Sequence, residues 1–310
     1  MKNSATAFAP ATVSNLACGF DILGFAMQSP GDVVHAARKN SKGVSIKEII
    51  SPYGTLPQRA DRNTASVAAA LLLKKIKAKF GIELVIQKHL PIGSGLGSSA
   101  ASAVAAAFAV NKVVGEPFSK LELIEFAREA ERVACGSAHA DNVAPSMLGG
   151  IVLIRSSEPA DYISLPVPPK LFYAVVHPDV EVLTSESRAI LPKEILLKKM
   201  VEQSANLGAL VIALHRNDYK LMARSLYDVV AEPVRKKLIP CYDEVKNAAM
   251  KIGALGCSIS GSGPSVFGLF ERKADAIKAA EAMKKEFNRK KISANSFTGK
   301  ISSEGARLIK

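Results

Sequence analysis

Tryptophan is absent from this sequence of 310 residues, and aromatic residues make up only 6% of it. The chain carries a formal charge of +13 at pH 7, but no basic segment has interleaved aromatic side chains on which bases could stack. Its lysines and arginines lie instead in stretches of helical pattern, such as residues 74–79 and 289–291, which is typical of a solvated helix face. We therefore expect no nucleic-acid partner, although the same positive field favours a small anionic one.

Cysteine and long apolar segments are also scarce. The cysteines form no CxxC pair and no cluster with histidine at metal-ligand spacing, so we expect free thiols in a reducing compartment. The first 15 residues contain no continuous apolar stretch of the signal-peptide type, and the alanine-rich segment 100–110 is too short to span a bilayer. These absences predict a cytoplasmic protein with no membrane partner.

The length and composition predict two globular domains. A chain of 310 residues is about twice the usual size of a single domain. Hydrophobic residues make up 48% and charged residues 22% of the chain, as in ordinary folded proteins. Segment 156–169 contains four prolines and follows a strand-like run, so we place the domain junction there. The predicted domains are residues 1–160 and residues 161–310.

Hydrophobic periodicity predicts strands and helices in both halves, hence an α+β fold class. Strands are predicted at residues 44–50, 82–86, 151–154, 172–176 and 266–270. Helices are predicted at residues 63–79, 98–113, 119–133, 199–215, 242–252 and 275–287. Ser119 followed by Glu122 has the spacing of a capping box, which fixes the start of one of these helices.

A glycine-rich loop, PIGSGLGSSAAS at residues 91–102, follows a predicted strand and opens a predicted helix. Glycines allow the backbone to approach a ligand closely, and the unpaired N–H groups and dipole of a helix start favour an anion such as phosphate. A tight turn with a serine N-cap is the structural alternative. No lysine follows the last glycine, so the loop is not a Walker A motif, and no acidic residue stands at dinucleotide-binding spacing.

Glu131 is a carboxylate on the apolar face of the helix predicted at 119–133. Leu123, Ile124 and Ala127 form the apolar stripe, and Glu131 follows Ala127 by four residues. A carboxylate on this face and near a helix C-terminus is costly unless it is paired or bound to a metal. An internal salt bridge is the structural alternative to a metal site.

The glycine loop resembles the phosphate-binding motif of the GHMP kinases. That resemblance implies that ATP binds along the loop and that Ser99 and Glu131 hold Mg²⁺. Two oxygen ligands suit Mg²⁺, because it keeps several of its waters and usually takes only one or two ligands from the protein. The nucleotide-binding residues expected from the resemblance are Pro91, Ile92, Gly93, Ser94, Gly95, Leu96, Gly97, Ser98, Ser99, Ala100 and Ala101, together with Asn63 and Lys88.

The opening string PATVSNLACGFDILG, residues 10–24, resembles the start of the homoserine kinase family within the GHMP kinases. By itself the string is only a loop, in which Asn15 and Asp21 could serve turn chemistry. The resemblance places Asn15 and Asp21 on residues that bind homoserine. The sequence departs from the family at Ala17 and Cys18, where Gly-Pro is usual.

Four further segments carry the resemblance, three to the same family and the fourth, at 253–265, to the third motif of the GHMP kinases. HADNVAPS at residues 139–146 implies that His139, Asp141 and Asn142 face the acceptor, whereas a polar loop capping the next strand is the structural alternative. The segments at 184–192 and 232–240 add acceptor-binding residues, and the glycine loop at 253–265 closes the site. The residues that they contribute are Thr184, Arg188, Arg235 and Gly261.

The resemblance implies an N-terminal α/β domain with a left-handed βαβ crossover and a ferredoxin-like C-terminal domain. It implies transfer of phosphate from ATP to L-homoserine, with catalytic roles for Glu131, Asn142, Ser99 and Arg188. We expect no conventional general base, because Asn142 is an amide; Asp141 is the competing base. Another GHMP kinase of mevalonate or sugar type, or a catalytically silent ATP-binding regulator, is the alternative function. A homodimer is the expected assembly.

Overall fold

The first part of the chain forms a mixed sheet covered by helices. The computed structural model describes residues 2–136 and 140–309. Its first elements are β1 (Ser4–Ser14), β2 (Leu23–Lys39), β3 (Gly43–Ile50), α1 (Thr64–Lys75), β4 (Gly81–Gln87), α2 (Ser98–Val113), α3 (Lys120–Cys135), α4 (Ala140–Leu148), β5 (Ile151–Ser157) and β6 (Ala160–Leu165). The strands run in the order β1–β2–β4–β3, with β5 and β6 attached beside β2. The β3 and β4 strands are parallel and joined through α1, which is the expected βαβ unit; the hand of its crossover stays a prediction.

Helix α2 is the centre of the first core. It packs against α1, α3, β1 and β2. Its residues from Ala100 to Ala107 are all buried, because alanine and serine side chains let the neighbouring helices and strands approach closely. This packing fixes the N-terminus of α2, which follows the glycine loop.

The second part of the chain folds as an antiparallel sheet with helices. Its elements are β7 (Phe172–Pro178), α5 (Thr184–Ala189), α6 (Leu197–Arg216), α7 (Tyr219–Ser225), α8 (Glu232–Arg235), α9 (Tyr242–Lys251), β8 (Gly256–Ile259), β9 (Val266–Phe270), α10 (Lys273–Arg289), β10 (Ala294–Lys300) and β11 (Arg307–Ile309). The order β10–β7–β9–β8, with each neighbouring pair antiparallel, is that of a split βαβ, or ferredoxin-like, sheet. The predicted ferredoxin-like domain is therefore confirmed.

A shared apolar core joins the two sheets. Phe25 of β2 packs against Tyr173 of β7 and Phe267 of β9, with ring centroids 5.9 and 6.3 Å apart, and the Tyr173 hydroxyl donates to Ser29 O at 2.9 Å. The chain crosses to the second sheet after β6 and returns at its end, where β11 pairs with β1. Strand β6 begins at residue 160 and β11 spans Arg307–Ile309, yet both join the first sheet. The division at residue 160 stays a prediction.

The predicted elements agree closely with the observed ones. Helix α2 has the predicted bounds, and α3 begins after Ser119, whose capping box with Glu122 is present. Helix α1 ends at Lys75 rather than Lys79, because the chain turns at Lys77, where φ is +52°. Residues 10–14, predicted as part of a loop, belong to β1, and residues 140–148, where a polar loop was the structural alternative, form α4. Within the described residues, no helix is both long and apolar enough to traverse a membrane.

Candidate active site

A cavity of about 390 Å³ lies between the two parts of the chain. The glycine loop and the start of α2 line one end of it, and the loop after β1, α5 and α8 line the other. The residues at its wall include Ser14, Asn15, Asp21, Asn63, Thr64, Lys88, Ile92, Gly93, Ser94, Gly95, Gly97, Ser98, Ser99, Ala100, Ser102, Glu131, Asp141, Asn142, Thr184, Arg188, Arg235, Gly261 and Ser262.

The glycine loop is held open by contacts that only glycine permits. Gly95 has φ of +72°, and a Cβ on it would lie 2.4 Å from Ser260 O; Gly97 has φ of +65°, and its Cβ would lie 2.3 Å from Thr12 Oγ1. The Ser260 hydroxyl donates to Gly95 O at 2.7 Å, so the second glycine-rich loop clamps the first. Gly97 is the N-cap of α2 and has no side chain to satisfy the N–H groups of the first turn. The serine-capped turn is therefore wrong, and the helix start can receive an anion.

Ser99 and Glu131 lie side by side at the end of the cavity lined by the glycine loop and the start of α2, where the resemblance predicts the nucleotide. The Ser99 hydroxyl donates to Glu131 Oε2 at 2.8 Å. Glu131 Oε1 is buried, and no residue in the described part of the chain forms a hydrogen bond with it. Burial raises the pKa of the Glu131 carboxyl to about 7, against the lowering effects of the Ser99 hydrogen bond and the Lys88 charge. The prediction that Glu131 points inward is confirmed.

An unpaired buried carboxylate oxygen beside a hydroxyl fits a hard divalent cation. The described residues contain no group of three or more His, Cys, Asp or Glu side chains that could enclose a metal. Mg²⁺ bound to nucleotide phosphates needs no such enclosure, because phosphates and water fill most of its coordination sphere. The Ser99 and Glu131 pair therefore fits the ion, while its binding there stays a prediction.

Lys88 lies beneath the glycine loop in a buried ion pair with Asp32 of β2. Its ammonium also donates to Ser98 O at 2.7 Å and to Ser102 Oγ at 2.9 Å. Asp32 is fully buried and accepts from the backbone N of His89 at 3.0 Å. Sequence reasoning gave no role to Asp32, because a lone aspartate inside a strand has no local signal of its partner. The ion pair ties the start of α2 to the sheet.

Asn15 organises the loop between β1 and β2, at the end of the cavity lined by this loop, α5 and α8. The resemblance predicts that the acceptor binds there, so we call this end the acceptor end. Its Oδ1 accepts from the backbone N of Asp21 at 3.0 Å, and its Nδ2 donates to Gly261 O at 2.9 Å. Asn15, Leu16 and Ala17 have φ of +72°, +43° and +58°, a left-handed turn that non-glycine residues rarely adopt. The loop thus links the first domain to the second glycine-rich loop.

Two arginines of the second domain reach this loop. Arg188 Nη2 donates to both carboxylate oxygens of Asp21 at 2.9 Å. Arg235 is only 4% exposed; its Nε donates to Ser187 O at 3.2 Å and its Nη1 to Gly261 O at 2.9 Å. Its guanidinium lies 4.9 Å from the centre of the Phe20 ring. Burial lowers the pKa of Arg235, partly offset by the charge of Asp21.

Asp141 and Asn142 occupy the first turn of α4. Asp141 is buried, and its Oδ1 has no hydrogen-bond partner among the described residues; desolvation and then the Asp21 charge raise the pKa of its carboxyl to about 7. Asn142 Oδ1 accepts from the Thr12 hydroxyl at 2.8 Å, and its Nδ2 donates to Ser14 Oγ at 3.2 Å. The amide of Asn142 borders the cavity, but both ends of it are bonded to β1. Asn142 therefore holds the start of α4 against β1, whether or not it also contacts a substrate.

The structure brings most of the predicted site residues to one cavity. Asn63 caps α1 and Thr184 begins α5, and both border the cavity. Leu96 and Ala101 are buried in the core behind the loop, and Pro91 is not part of the cavity wall. His139 lies outside the described residues. Sequence reasoning missed Ser14, Thr64, Ser102 and Ser262. Three of them lie within the motifs at residues 10–24, 91–102 and 253–265, but a hydroxyl inside a motif gives no local signal that its side chain faces the cavity.

Comparison with known proteins defines the class. The model of the GHMP kinase N-terminal domain matches residues 63–150, and that of the GHMP kinase C-terminal domain matches residues 210–289. Together these segments cover more than half of the chain and include α2, Glu131 and the start of α4. Membership of such a kinase family implies the use of ATP.

Relatives over the full length narrow the class. The homoserine kinase of Chlorobium phaeovibrioides is 49% identical, with 99% of each chain covered. The crystal structure of homoserine kinase from Cytophaga hutchinsonii superposes with a TM-score of 0.97 at 48% identity, covering 100% of this chain and 98% of that one. Galactokinase of Lactococcus lactis, at 14% identity and a TM-score of 0.74 over 99% of this chain and 96% of its own, shares the fold alone. The chain belongs to the homoserine kinase family of the GHMP kinases.

Proposed function

We propose that this protein phosphorylates the hydroxyl of L-homoserine with ATP. The observation that carries the proposal is the placement of Asp21 beside Arg188 and Arg235 at the acceptor end of the cavity. An amino acid presents an ammonium and a carboxylate, which need charges of opposite sign. A sugar or mevalonate lacks the ammonium, so the pairing favours homoserine over the acceptors of other GHMP kinases.

The experiment is an ADP-release assay over a panel of acceptors. L-Homoserine, L-serine, L-threonine, mevalonate and galactose are compared at saturating ATP and Mg²⁺. We expect the highest kcat/KM with homoserine, and phosphorus NMR of the product should show a phosphate ester. Turnover of mevalonate or galactose alone would move the acceptor assignment to another GHMP kinase, and no turnover at all would favour the silent regulator.

At the donor end, the chain supplies an anion site and two oxygen ligands. The backbone N–H groups at the start of α2 would bind phosphate oxygens, with Gly93, Gly95 and Gly97 allowing the close approach. Ser99 and Glu131 would hold Mg²⁺, which supplies charge stabilisation for the phosphoryl group when bound. Glu131 must be ionised for this role, and a nearby cation favours the ionised form.

At the acceptor end, the chain orients the substrate. Asp21 and Asp141 offer carboxylates to the ammonium, while Arg188 and Arg235 offer guanidinium groups to the carboxylate. Asn15, Thr184 and Gly261 border the same space. Orientation of this kind lowers the entropic part of the barrier.

The reaction proceeds in our proposal without a conventional general base. The Asn142 amide cannot take a proton from the hydroxyl, and both ends of it are bonded to β1. Asp141, with a pKa of about 7, is the competing base. Asp141 borders the acceptor end of the cavity, and its Oδ1 accepts no hydrogen bond from the described residues. In our proposal Asp141 therefore binds the ammonium and does not act as the base.

We propose a cytoplasmic homodimer as the working form. Support for the assembly comes from exposed apolar side chains at the start of α6, including Leu196 at 73% and Leu197 at 71% exposure. If α6 packed antiparallel against α6 of a second copy, Leu197 of each helix would contact Ile212 of the other. Gly208 lies on the exposed side of α6, where a Cβ would meet no other atom, so a second helix could approach closely there. Sedimentation velocity tests this: we expect a dimer for the native protein and a monomer for Leu197→Lys.

A further inference from the structure

The side-chain amide of Gln203, in α6, joins the two segments that carry the acceptor-binding residues. Its Nε2 donates to Cys18 O at 3.0 Å and to Asp228 Oδ1 at 3.2 Å. Its Oε1 accepts from the backbone N of Val229 at 3.0 Å. Both ends of the amide are therefore used, which fixes its orientation.

One of these segments leads into α8, the short helix that ends at Arg235. Asp228 is 5% exposed, and its carboxylate accepts from three successive backbone N–H groups, those of Val230, Ala231 and Glu232, at 2.8, 3.0 and 2.9 Å. The bond to Glu232 satisfies the first N–H group of α8, and the bonds to Val230 and Ala231 order the turn before that helix. Gln203 donates to Oδ1, the oxygen that accepts from Val230 and Ala231, so it anchors this turn.

The other segment is the loop that carries Asn15 and Asp21. Cys18 lies between those two residues, directly after the left-handed turn, and is buried. Arg235 touches the same loop through the Phe20 ring. The loop and α8 are thus connected twice, once through the Arg235 side chain and once through Gln203.

Packing does not account for the position of Gln203. Residues 197–202 at the start of α6 are all exposed, and Gln203 is the first residue of that helix to be partly covered. Its contacts with Cys18, Asp228 and Val229 are polar. Because the Gln203 amide bonds to Cys18 on one segment and to Asp228 and Val229 on the other, it fixes the distance between the two segments.

We propose that Gln203 is a positioning residue, which sets the spacing between the Asn15–Asp21 loop and Arg235 and thereby the affinity for the acceptor. It does not line the cavity, so its effect on the substrate passes through these two segments. The proposal rests on the proposed function only for the identity of the acceptor, since the two segments form the acceptor end whatever molecule binds there.

The test compares Gln203→Met with Asn206→Leu as a matched control. Methionine keeps the length of glutamine but removes the amide. Asn206 lies one turn further along α6 and donates to Tyr227 O at 3.2 Å, without a bond to the acceptor loop. We expect Gln203→Met to raise KM for the acceptor about tenfold, from the loss of hydrogen bonds, with KM for ATP changed less than about twofold. Asn206→Leu should leave both constants near those of the native protein.

Hydrogen exchange provides the second measurement. Positioning predicts faster exchange in Gln203→Met at residues 15–21 and 228–235, with the amides of α2 unchanged. An equal rise in both KM values, an unchanged acceptor KM, or faster exchange throughout the chain would each overturn the proposal. The acceptor panel is run first on the native protein. If homoserine is not phosphorylated, the proposed function fails. Gln203→Met is then measured with the acceptor that the native protein does phosphorylate. If none is phosphorylated, the dissociation constant of L-homoserine, measured by calorimetry, replaces KM.

Discussion

Arg188 and Asp21 come from different domains and meet at the acceptor end of the cavity, where Nη2 of the arginine lies 2.9 Å from each carboxylate oxygen of the aspartate. Each group is about a third exposed, so their mutual attraction is screened and contributes little to stability. In the proposed function, a zwitterionic acceptor would exchange partners with this pair: its ammonium would bind Asp21, and its carboxylate would bind Arg188.

Replacing the acceptor-side arginines should raise KM for homoserine. The carboxylate of homoserine stays charged through the reaction, so these contacts give mostly uniform binding rather than transition-state stabilisation. For the buried Arg235, Arg235→Leu should raise KM roughly thirtyfold to several hundredfold, which corresponds to about 2–4 kcal/mol. Arg188→Leu should raise it less, because Arg188 is more exposed. Initial rates at varied homoserine and varied ATP give both constants.

Arg235→Lys is the matched variant for this prediction. Lysine keeps the charge but cannot reproduce the Nε and Nη1 bonds to Ser187 O and Gly261 O, so its KM for homoserine should resemble that of Arg235→Leu. If a variant raised KM for ATP and left KM for homoserine unchanged, the replaced arginine would bind the phosphates of ATP rather than the acceptor.

Glu131→Gln should be more stable and less active than the native protein. With its pKa raised from 4.5 to about 7 by burial, Glu131 costs stability progressively as pH rises through that interval, and the full cost is present above pH 7. Glutamine keeps an acceptor for the Ser99 hydroxyl without the charge. We expect Glu131→Gln to increase the free energy of unfolding at pH 8 in EDTA by on the order of 3 kcal/mol.

The same variant should lower kcat by about a hundredfold or more, because the metal would lose its charged ligand. Urea titrations at pH 8 and pH 4, with EDTA present, measure the stability difference, which should disappear at the lower pH. Near-native kcat at saturating Mg²⁺ would contradict the metal assignment, whereas an unchanged stability would show that Glu131 is paired in solution.

Local sequence signals predicted the helices and strands well. The capping box at Ser119 and Glu122 is present, and α2 and β9 have the predicted bounds, because these features depend on periodicity and neighbouring residues. The ion pair of Lys88 with Asp32 and the Gln203 bridge join residues far apart in the chain. No local pattern marks such pairs, so only the fold reveals them.

The candidate site shows the same division. The resemblance to the family brought Asp21, Arg188, Arg235 and Glu131 into one site, and the structure places all of them around one cavity. The bonds of Asn142 to Thr12 and Ser14 were not predictable, because the motif around Asn142 was open to a loop reading, whereas it forms a helix packed on β1.

Asp141 should make the affinity for homoserine depend on pH. Its pKa of about 7 in the free protein reflects desolvation and the Asp21 charge, and the ammonium of the acceptor should lower it by favouring the carboxylate. Below pH 7 the neutral form must release its proton before binding the ammonium. KM for homoserine should therefore rise by up to about tenfold per pH unit below 7, while kcat stays level.

Asp141→Asn separates binding from base catalysis. If Asp141 binds the ammonium, the variant should show a raised KM at pH 8 and no further rise at pH 6, with kcat largely kept. If Asp141 were the base, kcat of the native protein would fall below pH 7 at saturating homoserine, and Asp141→Asn would lose kcat while keeping its affinity.

Ala17 occupies a strained backbone position, where φ is +58° and the side chain is buried. The homoserine kinase family usually has glycine at this position. An L-residue in the left-handed region costs roughly 1–2 kcal/mol, so Ala17→Gly removes this strain. It also loses a buried methyl group, worth about 0.8 kcal/mol, and gives the unfolded chain more freedom, at about 0.5–1 kcal/mol. The gains and losses nearly cancel, and we expect a change in unfolding free energy within about 1 kcal/mol of zero.

Ala11→Gly is the matched control for this prediction. Ala11 is buried in the same apolar core, in strand β1, and is not among the residues with positive φ. Its replacement loses the methyl group and gains chain freedom without relieving strain, so it should destabilise the protein by roughly 1–2 kcal/mol more than Ala17→Gly does. Denaturant titrations of both variants measure that difference. Equal losses in the two variants would mean that the turn at residues 15–17 relaxes in solution and that Ala17 stores no strain.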